Sequence, residues 1–483
     1  MNHAQSLTIV QVNDSHSYLE PHPELFWGAH GADYRIAGGY ARLATVINQI
    51  RQDRPGGVLV LDGGDTFHGT YPAVHSRGEA LLPVLNAIGF DAMSAHWEFA
   101  YGPAHFRRLA ARLDYPVLAL NCYAEQSGKR VFDPYQVVER GGLRVGIIGL
   151  VSNIVDKNMP PAFSQGVYFT LGREELPECI AALRGQERVD LVVVLSHLGF
   201  PQDMQMAADV PGIDVIASSH THNRLTRPAY VGHTLIIQSG CHGSFVGRLD
   251  LSIRDRVVVG YRHRLITVDE GIAPEPAMQA RIDEILAPHR AMLDEVVGET
   301  ATALNRNTVL EATMDNLLLQ SLLHATQTPL AFSNGWRYGA PLPCGPVRVN
   351  DLWNIIPVNP PVSLVDLTGE ELCMMLEENL ENTFARNPYD QMGGYVKRAL
   401  GLTLYAKIEN PKGKRIQALF VQGEPVQPNR IYPATFVTDQ GVPTQYGSNR
   451  RDLELHAVDA LRAYFAAQSG PVEAELRGTV VVV

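Results

Sequence analysis

Five short polar segments hold residue types that bind divalent cations, and each follows a short apolar run. Leu7–Val12 runs into Asn13, Asp14, Ser15 and His16, and Val58–Leu61 into Asp62, Gly63, Gly64 and Asp65. Asp91–Met93 precedes Ser94, Ala95, His96, Trp97 and Glu98; Leu191–Leu195 precedes Ser196 and His197; Val215–Ala217 precedes Ser218, Ser219, His220, Thr221 and His222. Two aspartates and up to five histidines make a mixed oxygen and nitrogen donor set. It suits two divalent ions such as Mn, Fe, Zn or Ni with one carboxylate between them, and does not suit a thiolate site. Two such ions, roughly 4 Å apart, would clamp an anionic ester and offer a bound hydroxide as nucleophile. Any one of these residues alone reads as a turn former, a cap or a buried polar side chain. Five clusters, each closing an apolar run, point to a dinuclear centre.

The elements that must position them follow from periodicity. Strands are also predicted at Val145–Leu150 and Leu235–Ile237, with helices at Tyr40–Gln52, where Leu43, Val46, Ile47 and Ile50 share a face, and at Glu79–Ile88. Apolar runs without polar alternation belong to a sheet buried on both faces, so residues 1–275 are expected to form an α/β layered domain. Ligands of such sheets bind beyond the carboxyl ends of the strands, so the five clusters should converge on one rim. Gly63 and Gly64 would let the backbone approach it closely. The charged amphipathic segment 276–300 predicts a linker helix. Residues 301–483 then form a smaller α+β domain, with helices at Asn316–Ala325 and Gly369–Asn382 and strands near Gly401–Ile408 and Ile416–Val421.

Composition narrows the class. A chain of 483 residues with 45% hydrophobic and 19% charged residues is long enough for two or three domains and too apolar for disorder. The formal charge of −11 argues against non-specific nucleic-acid binding. No apolar run approaches the roughly 18 residues of a membrane span. Cys122, Cys179, Cys241, Cys344 and Cys373 contain no C-x-x-C pair, so neither a disulfide framework nor a zinc ribbon is expected. Because Leu7–Val12 reads as a strand rather than an export leader, the chain reads as cytoplasmic, although a trimmed periplasmic chain would read the same.

Asp14-Ser15-His16, Gly64-Asp65, His197 and His220-Thr221-His222 resemble the D-x-H, G-D, H and G-H-x-H blocks of calcineurin-like metallophosphoesterases. With its second domain, the whole chain resembles the 5'-nucleotidase superfamily. That resemblance implies a four-layer α/β/β/α first domain. It also implies one ion on Asp14, His16, Asp65 and His222, and a second on Asp65, His197, His220 and a residue of the third block. In that block the usual G-N-H-E-F-D-Y-G becomes Ala95-His96-Trp97-Glu98-Phe99-Ala100-Tyr101-Gly102. His96 stands for the metal-binding Asn, while Trp97 and Ala100 replace the catalytic His and its Asp partner. An H-W-E-F-x-Y-G block is similar to that of SoxB-type thiosulfohydrolases, as are Asp62-Gly63-Gly64-Asp65-Thr66 and Asn387-Pro388-Tyr389-Asp390-Gln391-Met392-Gly393-Gly394.

The second domain is expected to supply substrate contacts. Arg337, in Asn334-Gly335-Trp336-Arg337-Tyr338-Gly339, occupies the place of the family's anion-binding arginine, with Asn334, Trp336 and Tyr389 as further contacts. Val358 stands where the family stacks a Phe on a nucleobase, which weakens a nucleotide reading. Glu98 is expected either to orient His96 or to cap a helix, and His233 and His242 either to support the ligand residues from behind or to be structural. The expected activity is hydrolysis of a phosphate or thiosulfonate-type ester, small or carried on a protein, with His96 and Arg337 as catalytic contacts. The alternatives are a nucleotide 5'-monophosphatase with a remodelled base pocket, and a metal-binding protein that has lost catalysis.

Overall fold

The computed structural model describes residues 5–483, which fall into two compact units. One comprises the chain up to Glu24 with Arg35–Pro288, the other Leu25–Tyr34 with His289–Val483. The sequence reading places Leu25–Tyr34 in the first domain. The structure groups it with the second, where the Tyr34 hydroxyl accepts from Asn305 Nδ2 at 3.1 Å.

Five strands of the first unit end at the polar clusters: β1 (Gln5–Val12), β2 (Val58–Asp62), β3 (Ala92–Met93), β4 (Leu191–Ser196) and β5 (Val215–Ser218). β1, β2 and β3 are parallel neighbours in one sheet, whose other edge is the long pair Phe245–Arg254 and Val257–Thr267. β4 and β5 are parallel neighbours in a six-stranded sheet with Leu143–Leu150 and Thr234–Ile237 on either side. Register brings the carboxyl ends level: Val12 pairs with Asp62, Asp62 with Met93, and Ser196 with Ser218.

Both faces of the central strands are buried, as continuous apolar runs require. Leu7 and Ile9 of β1 and Leu59 and Leu61 of β2 join Val193, Leu195, Val215 and Ala217 in the core between the sheets. The alternate residues Val10, Val12, Val58 and Val60 face the other way, into a core with helix α1 (Tyr40–Asp53) through Leu43, Val46, Ile47 and Ile50. The outcome is a four-layer α/β/β/α unit. The segment 276–300 is not one helix. It forms a helix at Pro276–Leu286, a single turn at Arg290–Leu293 and a strand at Val296–Thr300, because Pro288 interrupts the run.

In the second unit a five-stranded sheet carries helices Thr313–Thr326 and Gly369–Phe384. Its interior holds charge. Arg306 Nε donates to one oxygen of Asp315 at 2.9 Å and Arg398 Nε to the other at 3.0 Å, all three side chains being almost fully buried. The Nη groups of the two arginines donate to the carbonyls of Tyr338, Ile355, Val309 and Thr308. Removing the shared carboxylate leaves two buried cations without a counterion. Asp315→Asn is therefore expected to destabilise the protein by about 3–5 kcal/mol, read as a lower urea midpoint.

Lys397 is 4% exposed, and its Nζ donates to the carbonyls of Gln440 and Gly441 at 2.7 and 2.9 Å. Burial pulls its pKa from 10.5 down to about 7. Between those values the unfolded chain holds a proton that the folded chain has released, so stability rises with pH across that window. The difference in unfolding free energy between wild type and Lys397→Met should accordingly grow from pH 7 to pH 10. A flat difference would contradict a neutral buried amine.

Candidate metal centre

The strand ends bring all seven predicted ligand residues to one rim. Asp65, His96, His197 and His220 form one group and Asp14, His16, Asp65 and His222 another, the candidate ligand atoms of each lying within 4.8 Å of one another. Asp65 is common to both. His222 is partly exposed and the others are buried.

The backbone is bent to achieve this. Asp14, His16, Ser17, Asp65, His220, His222 and His242 all take positive φ, between 48° and 71°. Left-handed backbone costs a non-glycine residue about 1 kcal/mol or more, and its concentration here marks a site that the fold maintains against strain. Glycine is needed where the loops cross. A Cβ at Gly63 would fall 2.1 Å from Ser219 Oγ, and one at Gly64 would fall 3.0 Å from His197 Nδ1.

Hydrogen bonds set the direction of the rings. His197 Nδ1 donates to the Gly63 carbonyl at 2.6 Å, so Nε2 carries the lone pair, 3.3 Å from Asp65 and 3.7 Å from Asp14. His16 Nδ1 donates to the His68 carbonyl at 3.3 Å, leaving its Nε2 3.2 Å from His222 Nε2 and 3.8 Å from Asp65. His96 Nδ1 lies 3.3 Å from Asp65, and its buried Nε2 has no hydrogen-bond partner among the described residues. Lone pairs directed at carboxylate oxygens repel one another unless a cation or a proton lies between. The donor set and its orientation thus fit two divalent cations.

The electrostatics agree. Burial opposes charge on Asp65, but His197 and His96 hold its carboxyl well below the usual range. Burial likewise opposes a charge on His197, yet Asp65 and Asp14 raise it to about 10. In effect the carboxylates draw a proton to where cations would lie.

Glu98 neither orients the His96 ring nor caps a helix. Its carboxylate accepts the backbone N–H groups of His96 (2.7 Å), Thr66 (2.6 Å), Phe67 (3.2 Å) and Asp65 (3.3 Å), tying the β2 and β3 loops together without touching the His96 ring. Trp97 donates its backbone N–H to Asp65 at 2.8 Å, and its indole stacks on His68 with ring centroids 4.5 Å apart. Neither His68 nor Glu24, which pairs with His242 beside the rim, is among the residues singled out in the sequence. Glu24 gives no local signal, since its partner Arg224 is two hundred residues away.

In the second unit Asn334 Nδ2 donates to Gln440 Oε1 at 3.3 Å, and Arg337 Nη2 to the Gly394 carbonyl at 3.1 Å. Arg337 also lies 5.4 Å from the Tyr395 ring centre. Trp336 is 3% exposed, stacked near Tyr338 with Arg306 5.6 Å from its ring, and Tyr389 is half-buried in a short turn.

His197→Ala should reduce bound Mn(II) from two ions per chain to about one, measured by elemental analysis after gel filtration. Two tightly held ions in that variant would remove His197 from the ligand set.

Residues 7–224 match the calcineurin-like phosphoesterase family, and residues 295–438 match the 5'-nucleotidase C-terminal domain. The fold is similar to that of the sulfate thiohydrolase SoxB of Thermus thermophilus, with a TM-score of 0.91 and 26% identity, covering 99% of this chain and 96% of that one. It is also similar to a 5'-nucleotidase precursor from Thermus thermophilus, with a TM-score of 0.86 and 25% identity, covering 99% of each. The trifunctional nucleotide phosphoesterase protein YfkN of Bacillus subtilis is 23% identical over 85% of this chain, which spans 30% of that protein's length. A calcineurin-like domain is followed by a 5'-nucleotidase C-terminal domain in this chain, which belongs to the 5'-nucleotidase superfamily as a metal-dependent hydrolase of ester bonds.

Proposed function

We propose that the chain is a two-cation hydrolase of the SoxB-like branch, acting on a thiosulfonate-type ester or on a phosphate ester with a good leaving group. The observation that carries this reading is the Trp97–Ala100 block. Trp97 is buried against His68, and no imidazole–carboxylate pair stands at these positions.

Asp14, His16, Asp65 and His222 would hold one cation, and Asp65, His96, His197 and His220 the other, with Mn, Zn or Fe suited to the donors. Bound there, two cations supply Lewis acidity toward an anionic ester and make water nucleophilic at neutral pH. The chain's own residues do the positioning. The carbonyls of Gly63 and His68 fix the tautomers of His197 and His16, and Glu98 and the Trp97 N–H hold the Asp65 loop. Arg337 is the proposed contact for the anionic oxygens, with Asn334 and Trp336 on the same loop and Tyr389 on another. An alkoxide leaving group needs a proton, which an imidazole at position 97 would supply and an indole does not. A thiolate leaves without one. Hydrolysis of a cysteinyl thiosulfonate breaks the sulfur–sulfur bond, water's oxygen ending in sulfate and the electron pair on the thiolate. Such a group can be presented on a small molecule or on a carrier protein.

The second reading, a nucleotide 5'-monophosphatase, is supported by the similarity to the 5'-nucleotidase precursor. Mn- and Zn-loaded protein should be tested on a cysteinyl thiosulfonate, p-nitrophenyl phosphate and AMP. The thiosulfonate is expected to turn over fastest and AMP slowest, and a preference for AMP would reverse the assignment. Trp97→His combined with Ala100→Asp should raise AMP hydrolysis by roughly 10²-fold if a missing proton donor limits it. No change on any phosphate ester would remove that explanation.

A further inference from the structure

Beside the rim lies a histidine that neither cation group includes. The backbone N–H of His242 donates to the Asp14 carbonyl at 2.7 Å, and its own carbonyl accepts from His22 Nε2 at 3.0 Å. Its φ of 58° matches the strained backbone of the ligand residues. Its ring centre is 6.0 Å from that of His16 and 6.1 Å from that of His222.

The ring is held by one nitrogen. His242 Nδ1 lies 3.2 Å from Glu24 Oε2, and because a carboxylate only accepts, Nδ1 carries the hydrogen. Glu24 is itself locked, accepting from Ser244 Oγ at 2.9 Å and from Arg224 Nη2 at 2.7 Å. Burial opposes its charge, but His242 and Arg224 hold it down to about 2. Cys241 completes a buried cluster with Glu24 and His242, yet this is not a third cation site. The Arg224 guanidinium already compensates Glu24, and burial holds the Cys241 thiol well above its ordinary pKa. That leaves His242 Nε2 as a buried lone pair with no hydrogen-bond partner among the described residues, on a side chain 4% exposed. A buried acceptor is destabilising unless something donates to it.

We propose that His242 is a positioning residue of the first cation's site, its Nε2 accepting a hydrogen bond from a solvent molecule held beside His16 and His222, with Glu24 fixing the tautomer that leaves Nε2 bare. This rests on the two-cation reading above. The arrangement is an imidazole aligned by a carboxylate. It orders solvent at the first cation without adding a ligand to it.

Two amides separate this role from a purely structural tie. The amide of Asn reaches the Nδ1 position, so His242→Asn keeps a donor for Glu24, tolerates the left-handed backbone and loses the acceptor at Nε2. The amide of Gln reaches the Nε2 position, so His242→Gln restores the acceptor and loses the tie. The readouts are the Mn(II) dissociation constant, from the EPR signal of free Mn(II), and the water-proton relaxation enhancement of the Mn-loaded protein. His242→Asn should weaken the first site about tenfold and lower the enhancement, and His242→Gln should stay within about threefold of wild type. The reverse order, or equal values in both variants, overturns the proposal. Independently of any variant, 15N NMR of wild-type histidines should find His242 neutral with its hydrogen on Nδ1, and a hydrogen on Nε2 overturns it as well. Failure of the wild type to bind Mn(II) at all would instead overturn the two-cation reading, and is distinguished because wild type and both variants then behave alike.

Discussion

A carboxylate taken out of water must be met by positive charge or by several hydrogen bonds, and Asp65 has to be met from several loops at once. His197 arrives from β4, His96 and the Trp97 N–H from β3, and His16 from β1. Much else in the first unit serves this convergence. Level strand ends bring the loops together, glycines at 63 and 64 let them cross, and left-handed backbone at Asp14, His16, Asp65, His220 and His222 turns the side chains inward. The strain is local, while of the two apolar cores that sustain it one lies between the sheets and the other between the first sheet and its helices.

The site is legible in the sequence because its grammar is short-range. Each ligand type follows its strand within a few residues, and parallel strands of continuous apolar character end at a common edge, so Asp14, Asp65, His197, His220 and His222 can be gathered without coordinates. Glu24 cannot. Its partners Arg224 and His242 lie some two hundred residues downstream, and no periodicity reports a pairing of that span. The Arg306–Asp315–Arg398 triad is hidden for a different reason, since it looks like ordinary surface charge in sequence and is almost fully buried in the second unit. Pro288 is visible, and its break of the 276–300 helix follows from proline's missing N–H; amphipathic spacing on both sides disguises it. Glu98 stands out in the sequence, but only geometry shows that it serves backbone donors of two loops rather than a ring.

Trp97 and His68 carry the chemical individuality of the chain. An indole stacked on an imidazole at the edge of the centre is apolar where a phosphomonoesterase benefits from a proton donor. Cations alone can stabilise an attacking oxygen and a transferred anionic group, and they suffice when the departing atom is already a stable anion. Leaving-group chemistry, more than recognition of a base or sugar, therefore separates the thiosulfonate reading from the nucleotide one.

The central claim is a pair of cations sharing Asp65. EPR of the metal-stripped protein reloaded with two equivalents of Mn(II) tests it directly, because a carboxylate-bridged pair couples its electron spins. The expected result is the multiline spectrum of a coupled pair, formed with both equivalents taken up together. Two independent six-line signals, or a single bound ion at saturation, would contradict it.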